Sequence, residues 1–160
     1  MDEVKGVDGK WYTSNHATIW RWRTGYQHDF AARMDWSNAS AFADANHPPH
    51  AIVNNDRSRR TIHLTAPSGT QVLLDASPTT DPDGDEVSFH WYPYREAGTF
   101  PLTIYYRNFK LENGGTPVAS FVAPKVAKPR TIHFILEARD NGEPALTSYR
   151  RVIVTITPPN

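Results

Sequence analysis

The sequence predicts an all-β protein, an immunoglobulin-like β-sandwich of about seven strands preceded by one amphipathic α-helix. Three observations carry that prediction. From about residue 51 apolar and polar residues alternate, the period of strands whose successive side chains point to opposite faces. Gly, Pro, Asp and Asn, the residues of tight turns, separate the alternating runs. Upstream, apolar residues recur instead at helical spacing, at Ile19, Trp22, Tyr26, Phe30 and Met34.

Taken in order, the helix covers 14–34, with Thr13 or Ser14 placed to cap it. Gly25 is its weak point, since a glycine inside a helix costs roughly 1 kcal/mol relative to alanine. Asn46, His47, Pro48, Pro49 and His50 read as the linker that follows, which divides the chain into a helical segment and linker, 1–47, and a sandwich domain, 48–160. The expected strands are 60–64, 71–75, 86–94, 102–109, 120–122, 130–139 and 149–157. Parity assigns Val72 and Leu74, Val87, Phe89 and Trp91, Ile132, Phe134 and Leu136, and Val152, Val154 and Ile156 to the core. The opposite parity gives His90, Tyr92 and Tyr94, His133 and Ile135, and Tyr149, Arg151 and Ile153. An outer face that aromatic requires an occupant. Either it stacks against sugar rings, or the Trp-rich helix covers it; the second is preferred, because apolar helix and sheet faces pair readily within one chain.

Composition narrows the function. The 160 residues carry 17 Lys and Arg against 17 Asp and Glu, so no net charge draws the chain to nucleic acid or an anionic membrane. The absence of Cys removes disulfides, thiolate nucleophiles and Cys-based zinc sites. No apolar stretch is long enough to span a membrane, and MDEVKGVDGK is too polar for a signal peptide.

The densest polar stretch is DASPTTDPDGDEVSFHW, 75–91. Asp81, Asp83 and Asp85 alternate as the first ligands of a calcium loop would, but the twelfth position, where an EF-hand needs Glu, is Tyr92. Two readings remain. In the preferred one DPDGD is a turn, with Pro82 presetting φ and Gly84 supplying a positive φ. In the other, Asp81 and Asp83 meet Asp140 and Asn141 of the RDNGEP loop at one end of the sandwich and hold a structural calcium. Paired carboxylates for glycoside hydrolysis need an apolar pocket beside one of them, which this turn lacks. The seven histidines include no HExxH pattern, and no GxSxG elbow or phosphate-binding glycine loop occurs. His47 and His50 flank a stiff Pro-Pro step that keeps their rings apart. For carbohydrate the aromatic candidates are Tyr92, Tyr94, Tyr105 and Tyr106, with Trp20, Trp22 and Trp36 of the helical stretch.

LDASPTTDPDGDEVSFHWYPYREAG resembles the polycystic-kidney-disease type of immunoglobulin-like repeat, in which a DPDGD turn leads into a strand with a core Trp. NHATIWRWRTGYQHDFAARMDWS, DANHPPHAIVN, FVAPKV and ILEARDNGEPALTSYRRVIVTITP together resemble the C-terminal portion of a family described as cellulose-binding proteins, whose members carry an N-terminal nucleoside-hydrolase-like domain. The aromatic run FPLTIYYRNFKLENGG departs from that pattern. The resemblance implies that the helical stretch follows a hydrolase-like domain whose Asp-rich calcium cluster has no counterpart in these residues. It further implies a non-catalytic accessory domain of an extracellular or periplasmic protein, with a polysaccharide and the N-terminal domain as partners. The alternative is a purely structural module that docks the helix and that domain.

Overall fold

The computed structural model describes residues 2–6, 8–100 and 109–159. A short antiparallel hairpin, β1 (Asp2–Lys5) with β2 (Trp11–Ser14), leads into helices α1 (Ala17–Arg21) and α2 (Arg23–Asn38). The sandwich follows. β3 (Ile62–Pro67), β5 (Ser88–Pro93), β7 (Arg130–Arg139) and β8 (Thr147–Thr157) form a four-stranded sheet in the order β3-β8-β7-β5, and β4 (Gln71–Asp75) pairs with β6 (Val118–Val122). β3 runs parallel to β8; the other pairs are antiparallel.

Alternation of side chains builds the core between the two sheets. Ile132, Phe134 and Leu136 of β7 and Val152, Val154 and Ile156 of β8 are fully buried, with Leu74 of β4 and Phe121 of β6 facing them. The rings of Phe121 and Phe134, one from each sheet, lie 4.8 Å apart in a tilted pair. Burying a side chain of this size stabilises a fold by about 1.5–3 kcal/mol. Trp91 is buried as expected, while Val87 and Phe89 pack partly buried against the same cluster.

The strands over 71–75 and 130–139 coincide with their predicted ranges, and the others shift by a few residues at their ends. The strand expected at 102–109 lies outside the described residues except for Phe109, which packs partly buried against the core rather than in a strand. The β1–β2 hairpin was not foreseen. Its strands are only four residues long, and their alternation is too brief to register.

The one helix expected over 14–34 is two segments, interrupted at Trp22, whose φ and ψ of −106° and 13° depart from helix. The expected linker is also no loose tether. Pro49 is fully buried, His50 bridges to Thr80, and Ser148 Oγ donates to the Pro49 carbonyl at 2.5 Å. Arg150, 5% exposed, binds the following segment through the carbonyls of Ala51, Asp56 and Arg60 and the Asp56 carboxylate.

Candidate functional site

Two regions collect the polar and aromatic chemistry: the outer face of the four-stranded sheet, and the end of the sandwich where the acidic turn lies.

On the outer face, register places Tyr92 of β5 beside Ile135 of β7, which in turn neighbours Arg151 of β8. The helical layer sits over this row. Trp22 Nε1 donates to the Tyr92 hydroxyl at 3.3 Å, and that hydroxyl donates to Glu137 at 3.1 Å. Burial, with the Glu137 charge beside it, pushes the Tyr92 phenol well above its ordinary range, so it stays a neutral donor. The Tyr94 ring meets the edge of Trp22 at 5.9 Å and has the guanidinium groups of Arg21 and Arg151 within cation–π reach. Arg21 in turn pairs with Glu96 at 2.6 Å. The two tyrosines are therefore engaged inside the chain, half-buried, and the preferred occupant of the outer face is the one present. Tyr105 and Tyr106 lie outside the described residues.

The helix docks by an unexpected side. Gly25 lies so close to Tyr149 that a Cβ there would stand 2.5 Å from the phenol oxygen. His28 Nδ1 contacts the Ala145 carbonyl at 2.7 Å, Ala32 is buried, and Trp36 Nε1 donates to the Asn46 carbonyl at 2.7 Å. Together with Trp22 these residues form the inward face. Of the apolar stripe, Trp22 faces inward, whereas Tyr26, Phe30 and Met34 point away and remain 49%, 64% and 47% exposed. Ile19 and Trp20 of α1 are exposed as well. The reversal has a physical reason. A glycine, an alanine and hydrogen-bonding rings fit a sheet face already crowded with Tyr92, Tyr94 and Tyr149, where Phe30 and Met34 would add bulk without satisfying its polar tips.

At the other region, Asp81 Oδ1 accepts the N–H groups of Asp83 and Asp85 at 2.9 and 3.2 Å, and Gly84 has φ 84°, the turn conformation expected of DPDGD. Asp83 accepts the His47 N–H at 2.7 Å, which ties the turn to the segment leaving the helices. Asp140 is 3% exposed, and its Oδ1 accepts from Leu146 N at 2.8 Å, Gly142 N at 3.1 Å and Asn46 Nδ2 at 3.2 Å. Asn141 Oδ1 accepts the Glu86 N–H at 3.0 Å, joining the two loops. One oxygen from each of Asp81, Asp83 and Asp85 lies within 4.8 Å of the others. Partial burial and the charges of Asp81, Asp140 and Asp83 raise the Asp85 carboxyl above its ordinary range. A cleft of about 470 Å³ opens here between Asn46, Asp83, Asp85 and Gly142.

The carboxylates that cluster are thus Asp81, Asp83 and Asp85; Asp140 is linked to them through Asn46, which lines the same cleft, and Asn141 braces the two loops. Asp85 was legible in the alternating acids of DPDGD; Asn46 was not, because nothing local in the linker indicates that its side chain reaches Asp140.

Residues 71–156 match the family model described as Cellulose-binding protein Sde0182, C-terminal domain. The chain belongs to this family. A solved structure agrees with that membership over almost the whole chain, helices included: a nucleoside hydrolase-related hypothetical protein from Saccharophagus degradans, described as associated with carbohydrate metabolism, is 36% identical over 98% of this chain, with a TM-score of 0.82. The present chain spans 40% of that protein's length. A PKD domain from KIAA 1837 protein is 24% identical over 62% of this chain and 82% of its own, with a TM-score of 0.44. No curated protein is similar enough in sequence to count as a match. The family takes its description from a cellulose-binding protein.

Proposed function

We propose that this cellulose-binding-family domain is a non-catalytic accessory module of an extracellular or periplasmic hydrolase-like protein, and that the outward stripe of its helices docks the nucleoside-hydrolase-like portion. The observation that carries the reading is the exposure of Tyr26, Phe30 and Met34 on a helix whose other face is already seated. Contiguous apolar surface on a folded domain marks an interaction site, and here an Asp29–Arg33 ion pair at 2.8 Å forms a polar rim beside it. The Saccharophagus relative supplies a natural occupant, since most of its chain lies beyond the part matched here. The test is co-purification of this chain with that remaining portion of the relative. Phe30→Asp with Met34→Asp should cut binding at least about tenfold, the equivalent of 1.4 kcal/mol; undiminished binding would exclude the stripe.

The family description favours a second reading, polysaccharide binding. Sugar recognition needs open aromatic faces, so Tyr92 and Tyr94 would serve only if the helical layer moved aside. Retention on insoluble cellulose measures this directly: the reading expects wild-type protein in the bound fraction and Tyr94→Ala in the wash. It fails if wild-type protein washes through.

A further inference from the structure

We propose a calcium-type cation site at the acidic end of the sandwich, with Asp81, Asp83, Asp85, Asp140 and Asn46 as its oxygen donors. The acidic cluster alone would be an ordinary solvated turn. What singles it out is a set of buried oxygens with no hydrogen-bond partner. Among the described residues, the buried side-chain oxygens left without one are Asn46 Oδ1, Asp81 Oδ2 and Asp140 Oδ2, and all three belong to this one end. Asp140 is the decisive member, at 3% exposed, because three donors converge on its Oδ1 while Oδ2 receives none. Asn46, which donates to Asp140 at 3.2 Å, lines the same cleft as Asp83 and Asp85. A buried carboxylate oxygen with nothing to compensate it is strongly disfavoured, and the clustered carboxylates of Asp81, Asp83 and Asp85 add mutual repulsion. One divalent cation removes both penalties.

The donor chemistry selects the ion. Carboxylate and carboxamide oxygens are hard ligands, and a set of five of them, completed by water or carbonyl oxygen, suits calcium with its six to eight oxygens. The His47 ring, stacked on Phe42 at 3.7 Å and Trp36 at 5.5 Å, borders the set from outside, with its Nδ1 3.3 Å from Asp83 Oδ1. Asn46 fits against Gly142 so closely that a Cβ there would overlap its carboxamide. The cation would also act beyond its own shell. Asn46 is fastened to α2 through Trp36, so a filled site clamps the helical layer to the sandwich. The site is independent of the docking reading and stands or falls separately.

The test is a calorimetric titration of the intact chain with calcium chloride, paired with melting curves in calcium, in chelator, and in sodium chloride of matched ionic strength. Wild-type protein should bind one equivalent and melt about 5–10 °C higher at a hundredfold excess over the dissociation constant. Asp85→Asn removes one donor and one repelling charge. It should melt higher than wild type in chelator and bind calcium at least tenfold more weakly. No binding up to about 10 mM calcium, roughly tenfold beyond the weak end for extracellular modules, would overturn the proposal. So would an equal rise in sodium chloride, which is charge screening, or an Asp85→Asn response equal to wild type.

Discussion

Arg150 shows what a single residue can contribute without any functional role. Its place on β8 has the same parity as Val152 and Val154, so it points into the interior, and its guanidinium reaches three carbonyls and the Asp56 carboxylate. Hydrogen bonds to Ser58, reinforced by Arg150, hold the Asp56 carboxyl below its ordinary range. Arg150→Ala leaves those carbonyls buried without a donor, and a urea melt should show a loss of about 3 kcal/mol. His133 offers a pH-dependent counterpart. It is 7% exposed and accepts a hydrogen bond from Arg151 at 2.6 Å; burial first, then the charges of Arg151 and His63, hold its imidazole below the ordinary value. The unfolded chain protonates it near pH 6.5 while the folded chain resists, so its contribution is complete above that pH and is lost as pH falls through the folded value. Melting temperatures should therefore decline below about pH 6.5, and less steeply in His133→Gln, which keeps an acceptor for Arg151. At this scale parity placed His133 on the outer face beside Arg151. The partners of Arg150 were not legible, because backbone carbonyls from a distant loop leave no mark in a sequence.

At the scale of elements, α2 is where reading and structure part. Helical spacing locates the helix, and the usual rule that apolar faces turn inward makes the stripe from Trp22 to Met34 its inner face. The rule presumes a chain whose partners are all its own. Here the seated face is Trp22, Gly25, His28, Ala32 and Trp36, recognisable only once the polar tips of Tyr92 and Tyr149 are known to lie beneath it. The two faces predict opposite mutational behaviour. Trp22→Ala removes a hydrogen bond and an edge-on aromatic contact and should cost about 2 kcal/mol in a denaturant melt. Phe30→Asp, on the exposed face, should change stability by no more than about 0.5 kcal/mol. A large loss at Phe30 would show the stripe packed within the chain after all.

For the whole molecule, the two-sheet sandwich was legible because β4 and β8 alternate, and alternation at a fixed period states which side chains share a face; β7, covered on both faces, is buried without a break over 132–136. How the helical layer sits on it was not, since hydrogen bonds across more than a hundred residues, such as His28 to the Ala145 carbonyl, follow from the fold and not from local pattern. Removing residues 1–38 uncovers Tyr92, Ile135 and Tyr149 and should lower the melting temperature by about 5 °C or more; an unchanged value would mean that the layer contributes nothing to the sandwich. The central claim is that the molecule carries a seated helix with an outward docking face. Hydroxyl-radical footprinting of the chain, alone and mixed with the nucleoside-hydrolase-like portion of its Saccharophagus relative, tests it most directly. The account predicts that Tyr26, Phe30 and Met34 oxidise readily in the free chain and become protected in the mixture, while Trp91 stays protected throughout. Stripe residues that are equally reactive with and without the partner, or already protected in the free chain, would contradict it.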